Sequence, residues 1–487
     1  MPIADGFSDT SRLTAKGAVR PDVRIVHLGL GAFFRAHGAS YLADLGGWGV
    51  LGVSLRSPVV RDALVPQDCV YTAAELTPDG IKPRQIEVLR DVLVAPENPQ
   101  AVIDAIADPN VCIVSLTVTE KGYCHDPASG RLNMSHPDIV RDLRQDHPRS
   151  AIGYLVRGLQ ARWQAGAAPL TIMSCDNLPD NGALTRRVVL RLAQEIEPDA
   201  VDWIKASCTF PSAMVDRIVP ATTSKDIKTL NTLVGRQDAA PVMHEPFRQW
   251  VIENEFAGDR PSFENVGVQL VDDILPFELM KLRMLNGAHS ALAYLGYLSG
   301  HNTVSEAAAD PVLATYLRHL WRREIAPTLI APPDTDLDHY AATLLERFAN
   351  PAIQHKTYQI AMDGSQKLPQ RLLGTILDRL NNGKDADALL LGVAGWMRFT
   401  GGIDEAGTPF DVQDPLAPAL RAAQSADPAT TVRTLLAMRE IFDASCAARI
   451  EPVLVRLYQG LSDHGARHMM SALTGRAVPR LPALPKH

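Results

Sequence analysis

A short apolar segment that stops at a glycine places the strongest constraint on the fold of this chain. Residues 24–30 read RIVHLGL, and a helix-compatible stretch follows at 33–45. Further apolar runs, separated by segments with helical spacing, occur at 50–55, 111–118 and 170–174. Buried strands that alternate with amphipathic helices are typical of a parallel sheet with helices on both faces. The first part of the chain is therefore predicted to be a doubly wound α/β domain of the Rossmann type.

The pattern changes near residue 275. From Phe277 onward, helix-like segments separated by proline and glycine occur at 278–298, 309–324, 337–348, 370–381, 385–398, 428–442 and 448–474. We predict two domains, a Rossmann-type NAD-binding domain over 1–275 and a mostly α-helical substrate and catalytic domain over 276–487.

Composition excludes several classes of protein. With 46% hydrophobic and 21% charged residues, the chain of 487 residues is an ordinary globular protein. Its net charge of −7 argues against general affinity for nucleic acid or for an anionic membrane. The most membrane-like run, at 388–397, is well short of the roughly 20 residues that a membrane span needs. The first residues lack the pattern of a secretory signal, and the six scattered cysteines form no CxxC pair. A cytoplasmic protein with reduced thiols is expected.

The turn after the first apolar run carries part of a dinucleotide-binding fingerprint. Gly29 and Gly31 suit a tight turn followed by close approach of the backbone to a pyrophosphate. Phe34 stands where the third glycine is usual, and Arg56, not an acidic residue, follows the second run. The pattern alone fits a dinucleotide site and an ordinary βα turn equally well, and it leaves NAD and NADP both open.

Three polar residues share one face of a helix that is otherwise apolar. At about 100° per residue, Lys281, His289 and Asn286 lie near 0°, 80° and 140°. The same arc holds Leu282 and Leu285, so these polar groups are expected to be buried. Burial lowers the pKa of a lysine towards the range that suits acid–base catalysis.

A second polar segment, SCDNLPDNG at 174–182, follows a predicted parallel strand. Ligands of open α/β sheets bind at the carboxyl ends of the strands. The amide of Asn177 could donate to an oxygen that gains negative charge, although a turn built from Asp, Asn, Pro and Gly also explains the segment. The sequence has no HExxH and no zinc-type cysteine spacing, so we expect no metal.

Seven segments together resemble the polyol-specific long-chain dehydrogenase/reductase family. They read IVHLGLGAFFRAH (25–37), SLTVTEKGYC (115–124), MSCDNLPDNG (173–182), FPSAMVDRI (210–218), EPFRQWV (245–251), KLRMLNGAH (281–289) and DGSQKLPQR (363–371). They follow one another along nearly the whole chain, and Lys-x4-Asn-x2-His is a specific element.

The resemblance implies metal-independent hydride transfer between a nicotinamide cofactor and a secondary alcohol or ketone of a sugar derivative. It makes Lys281 the general acid/base, Asn177 and Asn286 the groups that polarise the carbonyl, and His289 a substrate-holding residue. Substrate contacts are expected from Asp216 and Lys367, and cofactor contacts from the set Gly29, Gly31, Ala32, Phe33, Phe34, Arg35, Arg56 and Thr117. The missing third glycine is a trait of this family. The family also leans towards monomers, so a monomer or weak homo-oligomer is expected.

Within the family, the sequences of these segments favour the branch that reduces fructuronate to mannonate. Mannitol-type enzymes tend to have arginine where this chain has Gln359, and Lys367 or Arg371 is then a candidate for the substrate carboxylate. Ser57 and Pro58 follow Arg56 in place of the acidic residues that favour NAD, so NAD is expected and NADP stays open. The alternatives are a mannitol 2-dehydrogenase acting on fructose and mannitol, a related polyol dehydrogenase, and a dinucleotide-sensing protein without turnover.

Overall fold

The computed structural model describes residues 12–15, 17, 20–126 and 129–475. The chain divides into two compact units, Met1–Leu275 and Pro276–His487. The first residues, from which a cytoplasmic location is predicted, lie mostly outside the described part.

The first unit is built around a five-stranded sheet with all strands parallel, in the order β5-β2-β1-β6-β9. Two three-stranded sheets (β10-β12-β13 and β11-β3-β4) and a short hairpin (β7-β8) accompany it. The strands are β1 Val23–Leu28, β2 Gly49–Ser54, β3 Tyr71–Thr77, β4 Gly80–Ile86, β5 Leu89–Val94, β6 Ile113–Leu116, β7 His125–Asp126, β8 Arg131–Leu132, β9 Thr171–Ser174, β10 Ala213–Asp216, β11 Val242–His244, β12 Gln249–Glu253 and β13 Gln269–Val271.

Helices cover both faces of the parallel sheet, because its strands are apolar on both sides. Val26 packs into one core with α4, α6 and α7, whereas its neighbour Ile25 packs into the other with α2. The helices of this unit are α1 Ala32–Ala36, α2 Gly38–Leu45, α3 Val59–Leu64, α4 Pro99–Ala107, α5 Pro137–Asp142, α6 Ala151–Gln164, α7 Asn181–Ile196, α8 Val201–Ser207 and α9 Ser224–Val234.

The second unit is helical, with one continuous apolar core that includes Trp321 and Trp396. Three segments within its helices are π-helical: 281–287, 320–325 and 369–373. The α-helices are α10 Leu275–Met280, α11 Ala288–Leu298, α12 Val304–Ala309, α13 Pro311–His319, α14 Leu337–Phe348, α15 Thr357–Ala361, α16 Gly364–Leu368, α17 Gly374–Asn381, α18 Asp387–Phe399, α19 Ala417–Ala422, α20 Pro428–Leu436 and α21 Ala444–Thr474.

The predicted fold class is confirmed, and the differences are local. The four apolar runs form β1, β2, β6 and β9. The helix predicted at 428–442 ends at Leu436, and the one predicted at 448–474 changes direction at Gly465, where φ is 81°. No described helix has the length and apolarity to cross a bilayer. All six cysteines are described and none forms a disulfide.

Candidate active site

The turn between β1 and α1 depends on glycine at one position and leaves open space at another. Gly29 adopts φ +90°, and a Cβ there would lie 2.3 Å from the carbonyl oxygen of Thr117. Gly31 is exposed, and the nearest atom to a Cβ built on it is 3.8 Å away. The backbone at Gly31 is therefore accessible, at the position where the fingerprint brings a pyrophosphate close.

A buried histidine, His27, is hydrogen-bonded to the residue that holds this turn. The hydroxyl of Thr117 donates to the carbonyl of Gly29 at 2.8 Å, so it accepts from Nε2 of His27 at 2.9 Å. Nδ1 of His27 then accepts from Ser115 at 2.8 Å. The imidazole is also stacked on Phe34, with ring centroids 3.5 Å apart. Burial lowers the pKa of His27 to about 3, which keeps it in this neutral form.

The remaining predicted cofactor residues differ in what their side chains face. Ala32 and Phe33 are half-buried in the first turn of α1, and Arg56 is exposed after β2. Phe34 and Arg35 are buried, and the guanidinium of Arg35 donates to the carbonyl of Ala240 at 2.6 Å. The side chains of Phe34 and Arg35 therefore lie in the interior of the first unit.

The segment after β9 is organised by a residue that sequence reasoning did not select, Asp176. Its carboxylate accepts from the backbone N–H groups of Val118 at 2.9 Å and Thr119 at 2.8 Å, and from the hydroxyl of Tyr123 at 2.7 Å. Burial raises the pKa of Asp176, and the three hydrogen bonds oppose that effect. Asn177 follows directly and is exposed. A carboxylate at the carboxyl end of a strand is the signal that could have identified Asp176.

The same segment is joined to the strand that carries Asp216. The amide of Asn181 donates to the carbonyls of Asp176 and Ala213, at 3.0 and 2.7 Å, and accepts from the N–H of Ala213 at 3.0 Å. Ala213 begins β10, and Asp216 ends it, almost fully buried. One buried amide thus fixes the loop of Asn177 relative to Asp216 within the first unit.

In the second unit, Lys281 and Asn286 lie in a π-helical segment rather than in a regular α-helix. The segment 281–287 follows α10 and continues into α11. Because a π-helix pairs residues five apart, it brings Asn286 closer to the face of Lys281 than the predicted 140°. Within the segment, the carbonyl of Met284 accepts from Nε1 of Trp321 at 2.7 Å.

A close backbone contact joins this segment to the one that carries Arg371. A Cβ on Gly287 would lie 2.7 Å from the carbonyl oxygen of Arg371. On the next turn, the hydroxyl of Ser290 accepts from the guanidinium of Arg371 at 3.1 Å. The helix of Lys281 and the helix of Arg371 are therefore packed at the distance that glycine allows.

Several basic side chains lie near His289. Its ring stacks on Phe348, with centroids 4.9 Å apart, and its buried Nε2 has no hydrogen-bond partner. Burial lowers the pKa of His289 well below its usual value, and four basic neighbours lower it further: His355, Arg371, Arg347 and Lys367.

His355 is a second candidate that the sequence did not reveal. Its ring lies 6.1 Å from that of His289, and its buried Nδ1 also has no hydrogen-bond partner. Lys367 donates to the carbonyls of Met362 at 2.5 Å and Ile360 at 3.4 Å, and burial lowers its pKa. Gln359 is exposed on α15. His289, His355, Lys367 and Arg371 thus form a cluster of basic side chains within this unit, in which burial lowers the pKa of both histidines and favours their neutral form.

One group of possible metal ligands occurs among the described residues. Side-chain atoms of Cys124, His136 and Asp138 lie within 4.8 Å of one another. Burial raises the pKa of the Cys124 thiol to about 12, and Nδ1 of His136 accepts from the N–H of Asp138. Asp138 also pairs with Arg149 at 3.3 Å. These contacts explain the group as the capped start of α5.

Comparison with known families and proteins accounts for both units. The family model described as the mannitol dehydrogenase Rossmann domain matches residues 23–265, and the model described as the mannitol dehydrogenase C-terminal domain matches residues 273–451. D-mannonate oxidoreductase of Escherichia coli (strain K12) is 44% identical over 97% of this chain and 98% of its own length.

Enzymes named for mannitol are similar to a comparable degree. Mannitol dehydrogenase 2 of Saccharomyces cerevisiae is 42% identical over 82% of this chain and 82% of its own length. The solved structure of Pseudomonas fluorescens mannitol 2-dehydrogenase, a ternary complex with NAD and D-mannitol, covers 97% of this chain and 96% of its own, with 37% identity and a TM-score of 0.82.

Proposed function

The chain belongs to the mannitol dehydrogenase family, and we propose that it reduces fructuronate to mannonate, reversibly, with NAD as the cofactor. The predicted family is confirmed, and so is the predicted enzyme class, an oxidoreductase that acts on secondary alcohols. The substrate, and the roles of individual residues, are the content of the proposal.

The choice of substrate rests on one observation, the basic side chains that lie around His289. Arg371, Arg347 and Lys367 lie close enough to His289 for their positive charge to lower the pKa of its imidazole. A neutral ketose gains little from such a field, whereas the carboxylate of a uronate is attracted by it and can accept charge-assisted hydrogen bonds. Arg371 donates to Ser290 and has further N–H groups that can donate to a carboxylate.

The turn at Gly29 and Gly31 fits a nicotinamide dinucleotide. Gly31 leaves its backbone open, and the first turn of α1 contains no acidic residue that would repel a pyrophosphate. The NAD in the complex of the similar mannitol 2-dehydrogenase supports the same cofactor here. When bound, the cofactor would supply the hydride as NADH in reduction and accept it as NAD+ in oxidation.

Three side chains handle the proton and the oxygen in this proposal. In reduction, the ammonium of Lys281 gives its proton to the carbonyl oxygen while the carbon accepts the hydride. The amides of Asn177 and Asn286 donate hydrogen bonds to that oxygen as it gains charge. In oxidation, neutral Lys281 removes the hydroxyl proton. We therefore expect the oxidation rate to rise with pH, and a flat profile between about pH 6 and 10, with chemistry limiting, would contradict this role.

The decisive experiment compares fructuronate with fructose, following NADH absorbance, and repeats both assays with NADPH. We expect fructuronate to be reduced with much higher kcat/KM. Arg371→Gln should then lower kcat/KM for fructuronate about 10- to 100-fold, the value of one charge-assisted hydrogen bond, and change that for fructose much less. Lys384→Gln removes an exposed charge from the same unit and serves as the control. A preference for fructose, or equal losses on both substrates, would refute the assignment and favour a mannitol-type enzyme.

A further inference from the structure

The segment that follows β6 contains a strained residue. Thr119 has φ 65° and ψ 164°, a conformation that is essentially confined to glycine. A β-branched side chain makes this conformation still less favourable. Such strain persists only where the surrounding structure imposes it, and it clusters at functional sites. At Thr119, the constraint is visible: its N–H and that of Val118 are both bonded to the carboxylate of Asp176.

This strained segment connects two parts of the proposed active site. At one end, the hydroxyl of Thr117 holds the carbonyl of Gly29 in the cofactor turn. At the other end, Asp176 precedes Asn177 in the chain. The hydroxyl of Tyr123, whose Oη lies 2.5 Å from Oγ of Ser174, adds a third bond to the same carboxylate. A single buried group therefore links the cofactor turn to the segment of Asn177.

We propose that Asp176 is a positioning residue, which holds Asn177 and the segment 117–119 in the arrangement that hydride transfer requires. This inference rests on the proposed role of Asn177 as a hydrogen-bond donor to the substrate oxygen. Asp176 itself makes no contact with the substrate in this proposal. It acts through the backbone on either side.

The role requires a carboxylate and not merely a polar side chain. Each of the two carboxylate oxygens of Asp176 accepts from one backbone N–H, and one of them also accepts from Tyr123. An asparagine has a single acceptor oxygen, and its NH2 group would face a backbone N–H. Asp176→Asn therefore releases Val118 or Thr119, and the strained backbone relaxes.

The experiment compares Asp176→Asn with Asp142→Asn, a matched control in the same unit. Asp142 is also buried and also accepts from two backbone N–H groups and one hydroxyl, those of Arg149 and Ser150. Both variants should unfold more easily. Turnover per folded molecule should fall about 100-fold in Asp176→Asn, the effect of a misplaced catalytic group, and stay within about twofold in Asp142→Asn. If Asp176→Asn does not fold, Tyr123→Phe removes one donor and should lower turnover about 10-fold.

A double-variant cycle separates this inference from the function on which it rests. The part of the Asp176 effect that passes through Asn177 is already lost in Asn177→Ala, so adding Asp176→Asn to that variant should lower turnover clearly less than the roughly 100-fold expected in the unmodified protein. Losses that multiply, or an Asp176→Asn enzyme with full turnover, would overturn the inference alone. Full turnover in Asn177→Ala by itself would overturn the proposed role of Asn177 and this inference with it.

Discussion

The two glycines of the β1–α1 turn should respond to the same substitution in opposite ways. A methyl group at Gly29 would meet the carbonyl oxygen of Thr117 at 2.3 Å and its carbon at 2.9 Å. That carbonyl cannot move freely, because the N–H of Thr117 is bonded to the carbonyl of Leu28 at 3.0 Å. The φ of +90° adds a second penalty, since an L-residue avoids that region.

The magnitude follows from these two costs. A left-handed conformation costs an alanine about 1–2 kcal/mol, and overpacking against fixed atoms costs about 1–3 kcal/mol. Gly29→Ala should therefore destabilise the first unit by about 2–5 kcal/mol, which lowers its unfolding temperature by roughly 5–15 °C. In Gly31→Ala the new methyl has its nearest neighbour at 3.8 Å, and the φ of −96° suits alanine. Its stability should be unchanged within about 0.5 kcal/mol.

Calorimetry and NADH titration together test this reasoning. Gly29→Ala should unfold early, whereas Gly31→Ala should unfold at the temperature of the unmodified protein but bind NADH about 10-fold or more weakly, because its methyl occupies the approach of the pyrophosphate. Equal unfolding temperatures for the two variants would refute the account of the turn. Unchanged NADH affinity in Gly31→Ala would refute the cofactor position.

Three further predictions concern acid stability, helix packing and catalysis. Burial lowers the pKa of His27 to about 3 and that of His244 to about 4, so between about pH 6.5 and 4 the unfolded chain binds up to two protons that the folded unit does not. Its stability in urea should fall with decreasing pH by up to about 2.7 kcal/mol per pH unit, and a constant stability between about pH 7 and 5 would contradict this. Gly287→Ala places a Cβ 2.7 Å from a facing carbonyl and should lower kcat/KM while NADH affinity is kept, whereas Gly374→Ala, with 3.8 Å to its nearest atom, should change neither. Asn177→Ala should reduce turnover on the order of 100-fold with NADH affinity kept, and unchanged turnover would assign Asn177 to the turn only.

The strands of the central sheet could be predicted because they are continuous apolar runs. β5 was missed, since LRDVLV interrupts its apolar residues with two charges. The small sheets were missed because strands as short as three residues, such as β11 and β13, carry too little pattern to read. Their formation depends on partners far away in the chain.

The residues of the candidate site also differ in whether the sequence alone could identify them. Lys281, Asn286 and His289 could be selected because they share one short apolar helix, and Gly29, Gly31 and Asn177 because they follow predicted strands. The family resemblance added residues such as Asp216 and Lys367. Asp176 and His355 were missed, because their significance lies in partners 40 or more residues away in the chain, such as Tyr123 and His289. The roles of all these residues stay predictions until the variants are measured.

The π-helical segment at 281–287 has a consequence for how this chain can evolve. A π-turn holds one residue more than an α-turn, so deletion of one residue here would produce a more regular helix. It would also rotate Lys281 by about 100° relative to His289 and remove the register in which Met284 meets Trp321. Point substitutions leave that register intact. Insertions and deletions in this helix should therefore be selected against far more strongly than substitutions at its apolar positions.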